Sequence, residues 1–313
     1  MGLVLACEDH SAADLVALGC AGEERGFGFC FLSDHFHPWS VRDGHSSNIW
    51  PVLGALACQT KSVGLVSAVT CPVLRIHPTT LAQAASTVFH LSQGRFVLGL
   101  GTGERLNEQI QGQPFPAFSE RLARVRESIA LVRLLLKGEE VTESGRYFSV
   151  NRAQLFDPAA ELPIMVAASG ERASGMAAEC ADGLICLGAR EELLKVFESR
   201  GPRKRPGLAQ LSVCWGKDEA AAIRTAHRYF PHVALDGTLF AQLATPLECD
   251  RAVSGITEDD VGAAIVCGPD PLPYRRAIEE CYEAGFDAVA LHQIGPDQRG
   301  FLEWWSEELK PLL

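Results

Sequence analysis

Strand-like and helix-like segments alternate with a spacing of about thirty residues from the N-terminus to residue 100, and this alternation constrains the fold most. Apolar runs at 3–6, 27–32, 63–69 and 96–100 are typical of buried strands. Apolar residues at helical spacing lie between them, and Ser11 and Gly26 are placed to begin and end the first helix. Strands joined by helices are normally parallel, so the pattern predicts an α/β fold.

Two insertions interrupt this alternation. Residues 139–155 contain two short β-rich runs around Gly145, which predict a hairpin after the fourth helix. An irregular excursion is predicted at 231–262, between the seventh and eighth strands, and the run 263–267 is interpreted as an irregular lead-in rather than a ninth strand. The strands after the hairpin are predicted at 164–168, 184–187, 209–215 and 288–292.

Eight strands with mostly helical returns predict a (β/α)8 TIM barrel with these two insertions. A chain of 313 residues suits one large domain, so a single barrel domain over residues 1–313 is expected. A doubly wound parallel sheet is the alternative.

Composition narrows the class of protein. The net charge of −11 argues against a nucleic-acid partner bound through a basic face. The eleven cysteines form no C-x-x-C pair and the start lacks a signal-peptide pattern, so reduced thiols in a cytoplasmic protein are expected. No uncharged apolar run approaches the roughly eighteen residues of a membrane helix. A solvated turn is expected before the seventh strand, at Arg200, Arg203, Lys204 and Arg205.

Polar side chains follow several predicted strands at the end where parallel α/β folds bind ligands. Glu8 follows the first strand, and Asp34 and His35 follow the second, on a loop that Pro38 keeps from being helical. Glu104 follows the fourth strand, where it is also placed to cap a helix. Convergence of these groups on one face predicts an active site, with an Asp34–His35 pair that merely holds a turn as the alternative.

Two cofactor motifs are nearly present. Gly99, Gly101 and Gly103 have the wrong spacing for the dinucleotide fingerprint G-x-G-x-x-G, so NAD binding by this route is disfavoured. His35 and His37 have the spacing of a metal pair, which leaves a metal-dependent hydrolase as an alternative. Such a hydrolase needs further ligands at later strand ends, where only His292 offers itself, so no metal site is predicted.

Several motifs resemble the F420-dependent glucose-6-phosphate dehydrogenase branch of the luciferase-like oxidoreductases. The similarity covers residues 1–190 and 262–313. It implies a (β/α)8 barrel, usually a homodimer, that binds coenzyme F420 at the strand ends and transfers a hydride between an alcohol or carbonyl carbon and C5 of the deazaflavin. The motifs are Ser33–Trp39, Gly101–Glu108, Val166–Gly170, Ala181–Cys186 and Gly295–Leu302.

The resemblance implies a role for each matching residue. His35 matches the base that takes the alcohol proton, and Trp39 the indole over the reacting centre. Glu104 matches an acid near N1 of the deazaflavin, where a buried, protonated carboxyl would donate, and Glu8 a further carboxylate. A non-prolyl cis peptide behind the ring is implied at Ala68–Val69. The implied cofactor contacts are Asp34, Ala68, Val69, Cys71, Gly103, Asn107 and the phosphate turn of Ala167, Ala168, Ser169 and Gly170.

The last third of the chain departs from the family pattern. Family members that act on sugar phosphates hold the phosphate with cations from strand six onward, and here only Arg190 stands at such a position. We therefore expect a small, non-phosphorylated substrate, such as a sugar, an amino sugar or a secondary metabolite. Acidic residues dominate the excursion: Asp236, Glu248, Asp250, Glu258, Asp259 and Asp260.

Three alternatives remain for the function. Arg190, joined by Arg75 or Lys217, would rebuild a phosphate site in a true F420-dependent sugar-6-phosphate dehydrogenase. An FMN-dependent luciferase-like monooxygenase would bind FMN in place of F420. A non-catalytic cofactor-binding homologue is disfavoured, because the matching active-site residues are all retained: Glu8, His35, Trp39 and Glu104.

Overall fold

The computed structural model describes residues 1–42, 44–201 and 205–313. The strands are β1 (Gly2–Leu5), β2 (Phe29–Leu32), β3 (Gly64–Ser67), β4 (Phe96–Leu100), β5 (Val141–Ser144), β6 (Ser149–Ala153), β7 (Ile164–Ala167), β8 (Gly183–Leu187), β9 (Gly207–Cys214), β10 (Val266–Cys267) and β11 (Ala288–Gln293). The helices are α1 (Ala12–Glu24), α2 (Ile49–Gln59), α3 (Pro78–Leu91), α4 (Arg105–Glu108), α5 (Phe118–Leu135), α6 (Glu171–Cys180), α7 (Glu191–Ser199), α8 (Glu219–Tyr229), α9 (Gly237–Phe240), α10 (Pro246–Ala252), α11 (Glu258–Ala264), α12 (Pro271–Glu283) and α13 (Gln298–Trp304). In these ranges no helix is long and apolar enough to cross a bilayer.

Eight parallel strands close into a barrel in the order β1, β2, β3, β4, β7, β8, β9 and β11. The ring closes because β11 pairs with β1, and β8 pairs with β9, where Ile185 lies opposite Leu208. Helices connect the successive strands. The predicted (β/α)8 barrel is therefore confirmed, and the doubly wound open sheet is wrong.

The strand register keeps the carboxyl ends of the first strands level. Leu5 of β1 pairs with Leu32 of β2, and Leu32 in turn pairs with Ser67 of β3. Residues that follow these strands consequently emerge on the same face of the barrel, the face that carries active sites in this architecture.

Most barrel strands are buried on both faces, as their continuous apolar runs predict, while β9 contains Gln210 and Ser212 and is partly exposed. Successive side chains point alternately inward and outward. Leu3 and Leu5 pack outward against the helices. The residues that fill the inside of the barrel are Val4, Phe31, Val66, Met165, Ile185 and Ala290.

The two predicted insertions are both present. The hairpin follows α5, the fourth barrel helix, and pairs β5 with β6 in antiparallel fashion, with Ser144 opposite Ser149. The excursion lies between β9 and β11, the seventh and eighth barrel strands. It follows α8, and the two segments share a small core with the ends of β9 and β11: Cys214, Ala222, Ala226, Val261, Ile265 and Ile294.

The excursion is helical, so the prediction of an irregular segment is wrong in this respect. Asp236, Thr245 and Thr257 accept hydrogen bonds from backbone N–H groups and cap α9, α10 and α11. These helices have 4, 7 and 7 residues, too few to show a repeating apolar period. The predicted lead-in at 263–267 contains the two-residue strand β10, which pairs with β9 outside the closed ring.

The structure describes only part of the basic run before β9. Arg203 and Lys204 lie outside the described residues. Arg205 is half-buried, and its guanidinium donates to the carbonyl oxygens of Ala178, Ala181 and Phe197. For Arg205 the expected solvated turn is therefore wrong, since its side chain ties α6 and α7 together.

Candidate active site

The loop after β2 presents His35 at the strand-end face. Asn107 fixes this loop, because its Oδ1 accepts from the backbone N–H groups of Phe36, at 2.9 Å, and His37, at 3.1 Å. The carbonyl oxygen of His35 accepts from the hydroxyl of Ser46 at 2.8 Å. The imidazole is half-buried, and its Nδ1 is buried without a hydrogen-bond partner in the described chain. The main chain of His35 is thus held, while its ring keeps a free nitrogen.

Glu8, in the turn after β1, is within electrostatic reach of this imidazole. Its carboxylate is buried and accepts a short hydrogen bond from the hydroxyl of Ser33. Burial is the strongest influence and would raise the pKa of Glu8, but the positive charge of a protonated His35 and the bond from Ser33 outweigh it. The pKa of Glu8 therefore lies below its ordinary value. An ionised Glu8 stabilises a positively charged His35.

A buried polar network joins the ends of β2, β3 and β4. Asp34 binds Arg75 through Oδ1, at 2.8 Å, and accepts from the hydroxyl of Thr70 through Oδ2, at 2.7 Å. Glu108 accepts from the backbone N–H groups of Leu74, at 2.7 Å, and Arg75, at 3.0 Å. Burial raises the pKa of Glu108 to about 7. Asp34, an implied cofactor contact, thus has both carboxylate oxygens bonded within the chain.

The ends of β3 and β4 carry the other residues implied to surround the cofactor ring. The peptide bond Ala68–Val69 is cis, as the resemblance implied. Cys71 is buried, and burial raises the pKa of its thiol well above the ordinary value. Gly103 has a φ of +72°, and a Cβ there would lie 2.8 Å from Cγ of Glu108, so this turn requires glycine.

Glu104 and Asn107 each keep polar atoms available at this strand end. Glu104 occupies the N-cap position of α4, yet its side chain makes no capping hydrogen bond, so the alternative of a pure capping role is wrong. The side chain is half-buried. Asn107 is buried, and its Nδ2 has no hydrogen-bond partner in the described chain. Both side chains have atoms free to contact a ligand.

The turn after β7 comprises Ala167, Ala168, Ser169 and Gly170. Gly170 is the N-cap of α6, with no side-chain cap, and a Cβ there would meet no atom within 4 Å. The space beside Gly170 is therefore open, and the first N–H groups of α6 have no side-chain cap, which suits an anion. Arg190 lies on the turn after β8, where its Nε is 2.5 Å from Oε1 of Glu192. Its charge is already paired.

The metal-hydrolase alternative gains no support. Among the described residues, no three His, Cys, Asp or Glu side chains are placed to hold a metal ion. His37 has its Nδ1 3.0 Å from the carbonyl oxygen of Leu106, which holds this ring against the chain that follows β4.

Six rings, which we call the aromatic arc, run from His35 across the mouth of the barrel to β11. Sequence reasoning proposed only His35 and Trp39 of these as site residues. His292 carried a signal, since it ends a predicted strand. No pattern marked Phe230 at the end of α8, or His232 and Phe240 in the excursion. Centroid distances along the arc are 4.6 Å from His35 to Trp39, 4.5 Å to Phe240, 4.9 Å to His232, 4.1 Å to Phe230 and 5.3 Å to His292.

Comparison with known proteins agrees with this architecture. A family model described as luciferase-like monooxygenase matches residues 4–288. The chain belongs to this family. A relative from Beutenbergia cavernae, described as F420-dependent glucose-6-phosphate dehydrogenase, is 34% identical over 100% of this chain and 97% of its own. The F420-dependent hydroxymycolic acid dehydrogenase of Mycobacterium tuberculosis is 36% identical over 91% of this chain and 80% of its own.

A solved structure has the same fold as this chain. It is an F420-dependent secondary alcohol dehydrogenase in complex with an F420–acetone adduct. It superposes with a TM-score of 0.91 at 23% identity and covers 100% of this chain and 98% of its own. The family model and the two relatives confirm the resemblance drawn from the strand-end motifs, and the solved structure shares the fold of the barrel.

Proposed function

We propose that this protein is an F420-dependent oxidoreductase, which transfers a hydride between an alcohol or carbonyl carbon of a small, non-phosphorylated substrate and C5 of the deazaflavin. One observation carries the proposal: the half-buried imidazole of His35 follows β2 at the strand-end face, its Nδ1 has no hydrogen-bond partner in the described chain, and Glu8 is within electrostatic reach of it. A base of this kind removes the hydroxyl proton of an alcohol as the carbon is oxidised.

The residues at the strand ends fit F420. The small side chain of Ala68 leaves room for a flat ring, and the unpartnered Nδ2 of Asn107 is a donor for a ring oxygen. The open N-terminus of α6 at Gly170 suits the phosphate of the coenzyme. Relatives over the full length of the chain are described as F420-dependent, which supports the same cofactor.

Each catalytic residue has a defined task in this proposal. His35 accepts the hydroxyl proton, and Glu8 stabilises the imidazolium that forms. Trp39 packs edge-on to the His35 ring, at 73°, and limits its rotation. Glu104, whose side chain makes no capping hydrogen bond, would contact the ring of the coenzyme. Bound F420 supplies the hydride acceptor, and in the reverse direction the same residues serve a carbonyl reductase.

The substrate proposal rests on where the cations lie. Arg75 is paired with Asp34, Arg190 with Glu192, and Lys217 is exposed. A buried phosphate needs charge-assisted hydrogen bonds, which paired arginines supply poorly. The acidic excursion contributes less to this argument than expected, because Asp236 caps α9, Asp250 accepts from Ser40 and Val41, and Asp260 completes a capping box.

A second candidate is a true F420-dependent sugar-6-phosphate dehydrogenase. A cavity of about 340 Å³ between the loop after β2 and the excursion favours it. Trp39 and His232 line this cavity together with Arg42 and Arg228, which have no ion pair within the described parts of the chain. Two guanidinium groups beside Trp39 would suit a phosphate better than Arg190 does.

Two assays test these proposals. Fluorescence titration should show that F420 binds more tightly than FMN, and FMN binding at least as tight would favour the monooxygenase alternative. A steady-state assay of F420 reduction should show little or no turnover of glucose-6-phosphate alongside turnover of neutral alcohols. Efficient turnover of glucose-6-phosphate would establish the second candidate, and Arg42→Ser should then raise its KM.

We also propose that the chain is a single domain that works as a homodimer, as the resemblance implies. Light scattering after size-exclusion chromatography measures the mass directly, and 33.8 kDa would indicate a monomer.

A further inference from the structure

His292 is a buried imidazole that makes no hydrogen bond within the described chain. It lies near the end of β11 and is 5% exposed. Both ring nitrogens are buried without a hydrogen-bond partner in the described chain, and the nearest charge, Oδ2 of Asp9, is 3.6 Å from Nε2. Leaving a buried polar group unsatisfied is costly, so a group outside the chain is expected to bond this ring.

The aromatic arc connects His292 to His35, the proposed base. His292 ends the aromatic arc that His35 begins, and the ring of Phe230 packs perpendicular to it, at 90°. Glu8 is within electrostatic reach of both His35 and His292. Glu8 follows β1, which lies between β11 and β2 in the barrel, so the two imidazoles with unpartnered nitrogens come from the strands on either side of this carboxylate.

We propose that His292 binds a second oxygen of the substrate, on the carbon next to the one that His35 serves, so that the preferred substrates are neutral vicinal diols or hydroxyketones. Their hydrocarbon face packs against Trp39, Phe240 and His232 of the arc. This inference rests on the proposed function and specifies its substrate class.

The charges around the arc favour a neutral partner over an anion. Burial lowers the pKa of His232 to about 3, so this ring is uncharged at neutral pH. Glu8 and Asp9 are carboxylates beside His292 and repel an anion. A hydroxyl group of the substrate donates to one imidazole nitrogen or accepts from the other. The carbon skeleton of the substrate then packs against the apolar surface of the aromatic arc.

Matched substrates separate the role of His292 from that of His35. Cyclohexanol and trans-cyclohexane-1,2-diol share one ring and differ by one hydroxyl. In His292→Leu, the ratio of kcat/KM for the diol to that for cyclohexanol should fall about tenfold, the value of one buried hydrogen bond. His292→Gln retains a donor and an acceptor and should keep most of the preference. His90→Gln is the control, because His90 lies on α3 and bonds the carbonyl oxygen of Pro158, away from the strand ends.

A spectroscopic measurement tests the contact without turnover. In protein labelled with 13C at the histidine Cε1 and loaded with F420, the resonance missing from the His292→Leu spectrum belongs to His292. It should shift when the diol is added and stay in place with cyclohexanol. Titration of F420 into His292→Leu shows whether this variant still folds.

The outcomes are distinct. A ratio in His292→Leu within about twofold of wild type, or a His292 resonance that does not respond to the diol, overturns the inference and leaves the proposed function intact. In that case an ordered water satisfies the ring. If the wild type binds F420 but oxidises no alcohol, the proposed function fails, and the resonance still decides whether His292 binds the diol.

Discussion

The buried ion pair between Asp34 and Arg75 provides a quantitative test of the network beneath the site. Its side chains are 2% and 17% exposed. Asp34→Ala would leave the guanidinium of Arg75 buried, with its Nε already unpartnered, and would remove the acceptor of the Thr70 hydroxyl. Removing one member of a buried pair costs about 3–5 kcal/mol, because the other charge stays desolvated and uncompensated. This is a large part of a typical total stability of about 5–15 kcal/mol.

An exposed pair in the same protein gives the matched control. Arg152 and Glu140 are 3.2 Å apart on the hairpin, with side chains 75% and 50% exposed. Glu140→Ala should cost less than about 1 kcal/mol, since water screens this pair. Equilibrium urea unfolding, followed by tryptophan fluorescence and far-ultraviolet circular dichroism, measures both variants. Losses that agree within about 1 kcal/mol would refute the claim that the Asp34–Arg75 pair organises the strand ends.

Two further predictions concern the catalytic residues and a buried acid. His35→Ala should lower turnover about 10²–10⁴-fold with F420 affinity changed only a few-fold, and Glu104→Gln should also slow turnover; near wild-type rates in both would contradict the assigned roles. Burial raises the pKa of Glu108 from 4.5 to about 7, so the folded state binds its proton more tightly and wild-type stability falls as pH rises across that range. Glu108→Gln, which has no proton to lose, should therefore gain about 3 kcal/mol on wild type between about pH 5 and about pH 8, and a difference independent of pH in urea unfolding would exclude this.

The sequence could predict the parts of the site that depend on position along a strand. Strand ends follow from local apolar runs, and the rule that parallel strands present ligands at their carboxyl ends then selects Glu8, His35 and Glu104. The cis peptide at Ala68–Val69 came from the family resemblance rather than from any local pattern. The buried position of Glu108 could not be predicted, since nothing in its neighbours along the chain shows that it is buried.

The barrel, the hairpin and the position of His35 just after the second strand could be predicted from the sequence, because periods of two and of about 3.6 residues are local properties of the chain. Which charges are paired and which rings surround His35 depends on the tertiary structure. Asp250 reaches Ser40 across 210 residues, and Asn107 holds the loop of Phe36 across 71. Such partners are chosen by contact in space, after the short helices of the excursion have folded over the barrel and brought His232 and Phe240 to Trp39.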